Sequence, residues 1–499
     1  MEVKFNKRPL KCLRPFFSQI HTQEQTQEIR LPDAYPDIGK ILGCWGRVLM
    51  RGKEWRGGSI GANGGVMTWV LYAPEDGTQP RVVDAWIPIQ CRWDFPENAD
   101  DGVMTLRPLL SALDCRSVSA RKLMVRAGVD TYAQAMKKET MEVAEPMDVP
   151  TDIQLLRRSY PMELPMEAGE KQVQLDEHFA LPENLPQIHK IVYYDMVPSI
   201  EEQKVLGNRL VFRGQMDVHM MYMTEEGQLH QWDTDVPFSQ YTELNGDYGT
   251  NATAWIMPIM TAMELDITEP QQLNIRAGIA NQYTIFDRTV LDVVEDAFSP
   301  SRDVAPVVEQ MQFPALLDSM QMQLQAEGTL KGEAQRILLA SPRTEYPVIR
   351  MNGDCLQLRM DGQFQTLYEN AEGQMSTESL RFNSMLPLPS ATENQTELWL
   401  QESSQPELLP TADGFNVISS YPVTVQTYSG RTLPMVTELD VGQQREADPD
   451  RPSILLRRAG DEGLWAIAKG YGSTVDAIME ANQLSGEPEN GQMLLIPIT

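Results

Sequence analysis

From Leu210 to Tyr222 the chain alternates with a period of two. Leu210, Phe212, Met216, Val218, Met220 and Tyr222 are apolar, while Arg213, Gln215, Asp217 and His219 are polar. That period belongs to a strand with one buried and one solvated face. Gly214 falls on the apolar register, where a bulge or bend is expected. Leu123, Val125, Ala127 and Val129 alternate in the same way, as do Leu273, Ile275, Ala277 and Ile279. One-sided strands predict antiparallel sheets packed as two-layer sandwiches. The period changes near the C-terminus. Ile454–Leu456 is a short apolar strand, and Leu464, Ile467, Ala468 and Tyr471 recur at helical spacing. Gly472 ends that helix, and Ser473 or Thr474 caps a second one that buries Val475, Ile478 and Met479. Asn482 follows it, and Met493–Ile496 returns as a strand. The predicted fold class is mainly β: tandem antiparallel β-sandwich-like repeats followed by a small α+β unit of βααβ order.

The strand pattern is duplicated. L-P-D-A-Y-P-D-I-G-K-I-L at 31–42 reappears as L-P-E-N-L-P-Q-I-H-K-I-V at 181–192, and V-L-Y at 70–72 as M-M-Y at 220–222. Pro108 matches Pro258, and R-A-G at 126–128 matches R-A-G at 276–278. These pairs share one offset of 150 residues, which marks an internal repeat. I-P-I-Q at 87–90 and V-P-F-S-Q at 236–240 correspond with a one-residue slip, and the second reads as a turn. A weaker third copy shows in Q-F-Q-T-L-Y-E-N-A-E-G-Q-M at 363–375, set against D-V-H-M-M-Y-M-T-E-E-G-Q-L at 217–229. Phe313-Pro314 likewise stands against Tyr160-Pro161. The expected division is 1–150, 151–300 and a diverged 301–441. A polar, Pro-punctuated linker at 442–452 then leads to a terminal domain at 453–499.

Composition narrows the function. The 499 residues carry a formal net charge of −28, which argues against a nucleic-acid backbone as partner. The first sixty residues are the exception, with eleven Lys or Arg against six Asp or Glu. Without an amphipathic basic helix they read as a solvated strand surface. No window resembles a signal peptide, and no apolar run is long enough for a transmembrane helix. Five scattered cysteines (Cys12, Cys44, Cys91, Cys115, Cys355) fit reduced thiols in a cytoplasm. The 28 methionines suit adaptable cores.

Chemistry is not signalled. The histidines (His21, His178, His189, His219, His230) form no H-E-x-x-H pattern and no zinc spacing with cysteine. On the alternation above, His219 points to the polar face. The glycine-rich run Arg56–Gly65 lacks the Lys-Ser/Thr and helix of a phosphate-binding loop, and reads as a long hairpin loop. There is no G-x-S-x-G elbow. No catalytic residue, metal or cofactor is expected, and the chain reads as a non-enzyme.

Two resemblances give this pattern a meaning. The C-terminal segment resembles a LysM domain through Gly460, Asp461, Leu464, Trp465, Ile467, Ala468, Tyr471, Gly472, Val475, Ile478, Asn482, Leu484, Gly491, Leu494, Ile496 and Pro497. Trp465 and Ile467 read as core. Where the family places one Ser or Thr before the Leu-Trp pair, this chain has Glu462-Gly463. The repeated opening, the L-Y/M-Y strand, V-P-F-S-Q and R-A-G together resemble the SPOCS repeat of sporulating Firmicutes (Clostridia). SPOCS repeats ahead of one LysM domain are the layout of SipL-type spore-coat morphogenetic proteins. That resemblance implies a non-enzymatic assembly factor in the mother-cell cytoplasm, at the forespore surface and spore coat. Its implied partners are the coat morphogenetic ATPase, stage IV sporulation protein A, and other coat proteins. The expected contact residues are Asp461, Glu462, Gly463, Lys469, Asn482, Gln483 and Leu484. The rival expectation is a LysM that grips peptidoglycan or an N-acetylglucosamine polymer, with the β-repeats as spacer.

Overall fold

The computed structural model describes residues 3–95, 99, 101–332, 334–353, 355–388, 396–403, 405–445 and 452–498. Long antiparallel strands dominate. The first part of the chain forms β1 (Phe5–Arg30), β2 (Ile38–Arg56), β3 (Ser59–Pro74), β4 (Arg81–Asp94), β5 (Gly102–Ser119) and β6 (Lys122–Pro146). The second forms β7 (Gln154–Ala180), β8 (Lys190–Met223), β9 (Leu229–Tyr248), β10 (Thr253–Glu269) and β11 (Gln272–Phe298). The third forms β12 (Arg302–Lys331), β13 (Ala334–Thr344), β14 (Val348–Asn352), β15 (Cys355–Asn370), β16 (Met375–Leu388), β17 (Thr396–Leu400), β18 (Glu407–Thr411) and β19 (Gly414–Gln444). The head consists of β20 (Ile454–Arg458), α1 (Leu464–Tyr471), α2 (Val475–Asn482) and β21 (Met493–Pro497).

In each part the first strand pairs along its length with the last: β1 with β6, β7 with β11, β12 with β19. A second sheet lies against this one, β2 packing on β5, β8 on β10 and β16 on β12. The layers are those of a sandwich.

The offset of 150 extends to the pairing itself. Gln25 faces Ala127 and Leu175 faces Ala277, and the register slips at Phe16 in the first part and at Met166 in the second. The third part slips at Leu317. The repeated letters have physical jobs. Leu31 and Leu181 are buried, as are Ile38 and Ile188. Tyr35 N donates to Pro32 O (2.9 Å) and Leu185 N to Pro182 O (2.9 Å), closing a turn. The tyrosine that ends the L-Y or M-Y strand reaches back to the second proline, Tyr72 Oη to Pro36 O at 2.9 Å and Tyr222 Oη to Pro186 O at 3.0 Å. In R-A-G the alanine is core, and the glycine lies beside a β-bulge in the neighbouring strand. A Cβ on Gly278 would sit 2.5 Å from Thr261 Oγ1.

A further turn recurs three times. Gly77, Gly227 and Gly373 adopt φ of 73°, 85° and 76°, conformations that favour glycine, and donate to Pro74 O, Thr224 O and Asn370 O. The weak match between 217–229 and 363–375 thus contains the same turn in its second half, at 224–227 and 370–373.

Some local expectations are corrected. V-P-F-S-Q is no turn: Val236–Gln240 lies inside β9. The run Arg56–Gly65 is not a long loop but a tight turn at Gly57-Gly58, with Ser59–Gly65 already in β3. Its glycines admit neighbours, since a Cβ on Gly65 would meet the Trp86 ring at 2.3 Å. Gly214 carries no bulge. β8 doubles back on itself near Gly207, His189 N donates to Met223 O, and Ser199 O lies 2.1 Å from a Gly214 Cβ. β19 continues to Gln444, so the start of the polar stretch at 442–452 is strand, and residues 446–451 lie outside the described residues.

The parts do not keep separate cores. Trp255 and Trp399 rings lie 4.5 Å apart, Trp45 and Trp69 pack on Tyr193, and two hydrophobic clusters each draw on all three parts. Gln282 imitates a strand edge, accepting from Leu106 N and donating to Leu106 O, both at 2.8 Å. Arg343 of β13 is buried and donates to Leu113 O and Cys44 O in the first part.

Glu397 of β17 shows the cost of such packing. Burial pushes its carboxyl from 4.5 to about 7, and Oε2 has no hydrogen-bond partner among the described residues. A carboxyl raised in the folded state takes up a proton on folding, so stability falls as pH climbs from about 4.5 to about 7 and stays low above. Glu397→Gln removes the charge but keeps a buried polar group. We expect it to raise stability by about 1 kcal/mol at pH 8 and to change little at pH 4, as read by urea denaturation at both pH values.

Candidate functional site

The head is built from the pattern read in its sequence. β20 and β21 pair antiparallel, and Leu464, Ile467, Ala468, Ile478, Leu494 and Ile496 form its core. Gly472 ends α1 in the left-handed region, and Thr474 caps α2 by accepting from Ala477 N at 3.1 Å. At the start of α1, Gly463 offers no capping side chain. Glu487 supplies the missing acceptor from the opposite loop, taking a hydrogen bond from Leu464 N at 2.8 Å. A carboxylate at that place also meets the positive end of the helix. This compensates for the hydroxyl lost at Glu462-Gly463.

Each expected contact residue has a definite place. Asp461 accepts from Asn490 Nδ2 at 2.7 Å, and Glu462 pairs with Arg457. With Gly463 and Glu487 they bring the loop before α1 against the loop before β21. Asn482 ties the end of α2 to β21: its Nδ2 donates to Ile478 O (2.7 Å) and Leu495 O (2.6 Å), and its Oδ1 accepts from Leu495 N (2.7 Å). Gln483 takes a left-handed φ of 56° as the cap of α2, and Leu484 packs on the core. Lys469 stands apart, on the body. Sequence reasoning missed Glu487 and Asn490, although an uncapped helix start called for an acceptor nearby.

The head is docked on the second part. Asp296, near the end of β11, accepts from Trp465 Nε1 at 2.9 Å and from Lys469 Nζ at 2.7 Å. The Phe298 ring meets the Trp465 ring edge-on at 4.8 Å and joins the head's core cluster. Ile467 is core as expected. Trp465 is only half-buried and serves as the joint with the body.

The head also shows a bare side. Ile454 (59% exposed), Leu456 (64%), Met493 (47%) and Leu495 (42%) share the outer face of the β20–β21 pair. Their neighbours Leu494 and Ile496 fill the inner face. Four aliphatic side chains left in water on one small sheet are unusual for a surface with no partner.

In the body, His219 departs from expectation. It is buried rather than solvated, with Nδ1 2.5 Å from Asp233 Oδ1. Among the described residues no cluster of three or more His, Cys, Asp or Glu is placed to hold a metal ion. No helix among them is long and apolar enough to cross a membrane.

Comparison with known families agrees with both architectures. Residues 187–262, inside the second copy of the repeat, match the family described as "SipL, SPOCS domain". Residues 458–497 match the LysM domain. No curated protein and no solved structure matches the chain. The chain therefore joins a SPOCS domain of the SipL type to a C-terminal LysM domain on a mainly β fold.

Proposed function

We propose that this chain is a non-enzymatic spore-coat assembly factor that docks through its LysM head onto the coat morphogenetic ATPase, stage IV sporulation protein A. It would act in the mother-cell cytoplasm at the forespore surface. In the same reading the body is three SPOCS-type units, 1–150, 151–300 and a diverged 301–441, joined through 442–452 to the head at 453–499. The shared first-to-last pairing and the recurring glycine turn support that division.

The observation that carries the reading is the aliphatic strip on β20–β21. A sugar polymer offers hydroxyl groups and asks for polar partners. A strip of Ile454, Leu456, Met493 and Leu495 instead suits another protein's apolar surface. Several residues of the sequence-expected contact set are also engaged within the chain, Asp461 with Asn490, Glu462 with Arg457, Asn482 with β21 and Lys469 with Asp296.

The test uses the full chain and the purified coat ATPase. Leu456 and Leu495 are cross-strand partners, so Leu456→Lys/Leu495→Glu places an opposite-charge pair on the outer face without touching the core, and the far-UV and thermal signatures of folding should hold. Burial of each leucine is worth about 1.5–3 kcal/mol, so affinity should fall at least about tenfold. Unchanged ATPase binding by this variant would overturn the reading. So would pelleting of the wild-type chain with peptidoglycan, competed by chitin oligomers, without any binding to the ATPase. That outcome would favour the glycan-binding alternative.

A further inference from the structure

A cavity lies in the body, away from the head. It measures about 430 Å³ and is lined by strands from all three parts, among them β2, β8, β9 and β13, and by Glu402, Ser403, Gln405 and Pro406. That size holds a small organic molecule.

Its polar lining is asymmetric. On one side Arg47, with only 11% of its side chain exposed, lies 3.4 Å from Asp195 Oδ1 and pairs with Glu402. Arg107 stands behind, 3.6 Å from Glu402, so this side is balanced. The β8–β9 side is not. Asp217 and Asp235 face each other directly across the strand pair, and Asp233 faces His219. Like charges opposite one another destabilise a sheet. Among the described residues no lysine or arginine pairs with any of these three aspartates, and Asp217 receives only Gln215 Nε2, at 2.6 Å. Burial pushes the Asp217 carboxyl up, as does the nearby charge of Asp235. The lining as a whole carries five carboxylates against one guanidinium. His219, 4% exposed, also lines the cavity, and its Nε2 has no partner among the described residues. The remaining wall is largely apolar, with Val48, Leu110, Leu339 and Pro342.

A cation with an apolar body satisfies this arrangement. An anion meets carboxylates, and its natural partner Arg47 is already engaged. Among the described residues, a metal ion finds no cluster of three ligands. We propose that the cavity where the three parts meet is a binding site for a small alkylammonium compound, its nitrogen between Asp217 and Asp235 and its carbon chain on the aliphatic wall. The three-part enclosure would then make ligand binding a report on the assembled body.

The test is isothermal titration of the full chain with 1,5-diaminopentane in moderate salt, which screens diffuse attraction to so acidic a protein. One saturable site is expected, with a raised melting temperature. Asp217→Asn/Asp235→Asn relieves the like-charge pair, so it should fold at least as stably while binding at least about tenfold more weakly. Glu480→Gln/Glu489→Gln, an equal change of charge on the head, should bind as wild type. The proposal is overturned if no saturable binding occurs, if both double variants weaken equally, or if glutarate or calcium chloride binds the same site as well as the diamine.

Discussion

Asp296→Ala is expected to release the LysM head from the body. One carboxylate there serves both the Trp465 indole and the Lys469 ammonium. The indole contact is partly buried, and a hydrogen bond to a charged group is worth about 1.5–3 kcal/mol. The lysine contact is more exposed and adds little beyond it. The loss is thus about 2 kcal/mol, or roughly thirtyfold in the ratio of docked to undocked head. The Phe298–Trp465 contact remains and keeps the change from being larger. Lys469→Met should move the equilibrium by less than threefold, while Trp465→Phe should approach the effect of Asp296→Ala. Small-angle scattering and limited proteolysis between 445 and 453 read the outcome: faster cleavage and a larger radius of gyration for Asp296→Ala at unchanged melting temperature of the body. The aliphatic strip is exposed in the docked head, so ATPase affinity should not fall. If cleavage is no faster than wild type, the carboxylate is not what holds the head.

That joint was not legible in the sequence, and the reason is physical. Period-two and helical patterns report which side of an element is apolar, and they located the strands, both head helices and the caps at Gly472 and Thr474. They also located the repeat, because Tyr72 and Tyr222 need the same proline carbonyl at the same distance along the chain. Patterns do not report what an apolar side faces. Trp465 reads as core whether its neighbour is its own strand or Phe298, some 167 residues earlier. His219 sits on a polar register, yet a cavity closed by residues of β2 and β13 covers it. Likewise Gly214 and Gly65 look like breaks in a strand, because the sequence does not show Ser199 or Trp86 pressing on them. Local order was readable; long-range enclosure was not.

The same distinction bears on how the body holds together. Beads on a string would each bury a private core, and a charge at their boundary would stay solvated. Here Arg47 from β2, Asp195 from β8 and Glu402 after β17 meet in the interior, one from each part. Burial pushes the Asp195 carboxyl up even with Arg47 beside it. Removing one member of such a group costs about 3–5 kcal/mol, because the remaining charge is stranded. Arg47→Met is therefore expected to lower stability by that amount at pH 7, with Glu402 partly rescued by Arg107. The sign with pH is fixed. A carboxyl raised on folding destabilises most where it is ionised, so the loss should shrink as pH falls and Asp195 takes up a proton. Asp195→Asn in the Arg47→Met background should recover about half of the deficit, since the amide needs no counter-charge. Urea denaturation of the three chains at pH 5 and pH 7.5 measures this. The transitions should also be single, because a body with shared cores has no part that unfolds alone. Separate transitions, or a loss below 1 kcal/mol for Arg47→Met, would mean that the parts stand independently and that the buried group is not what joins them.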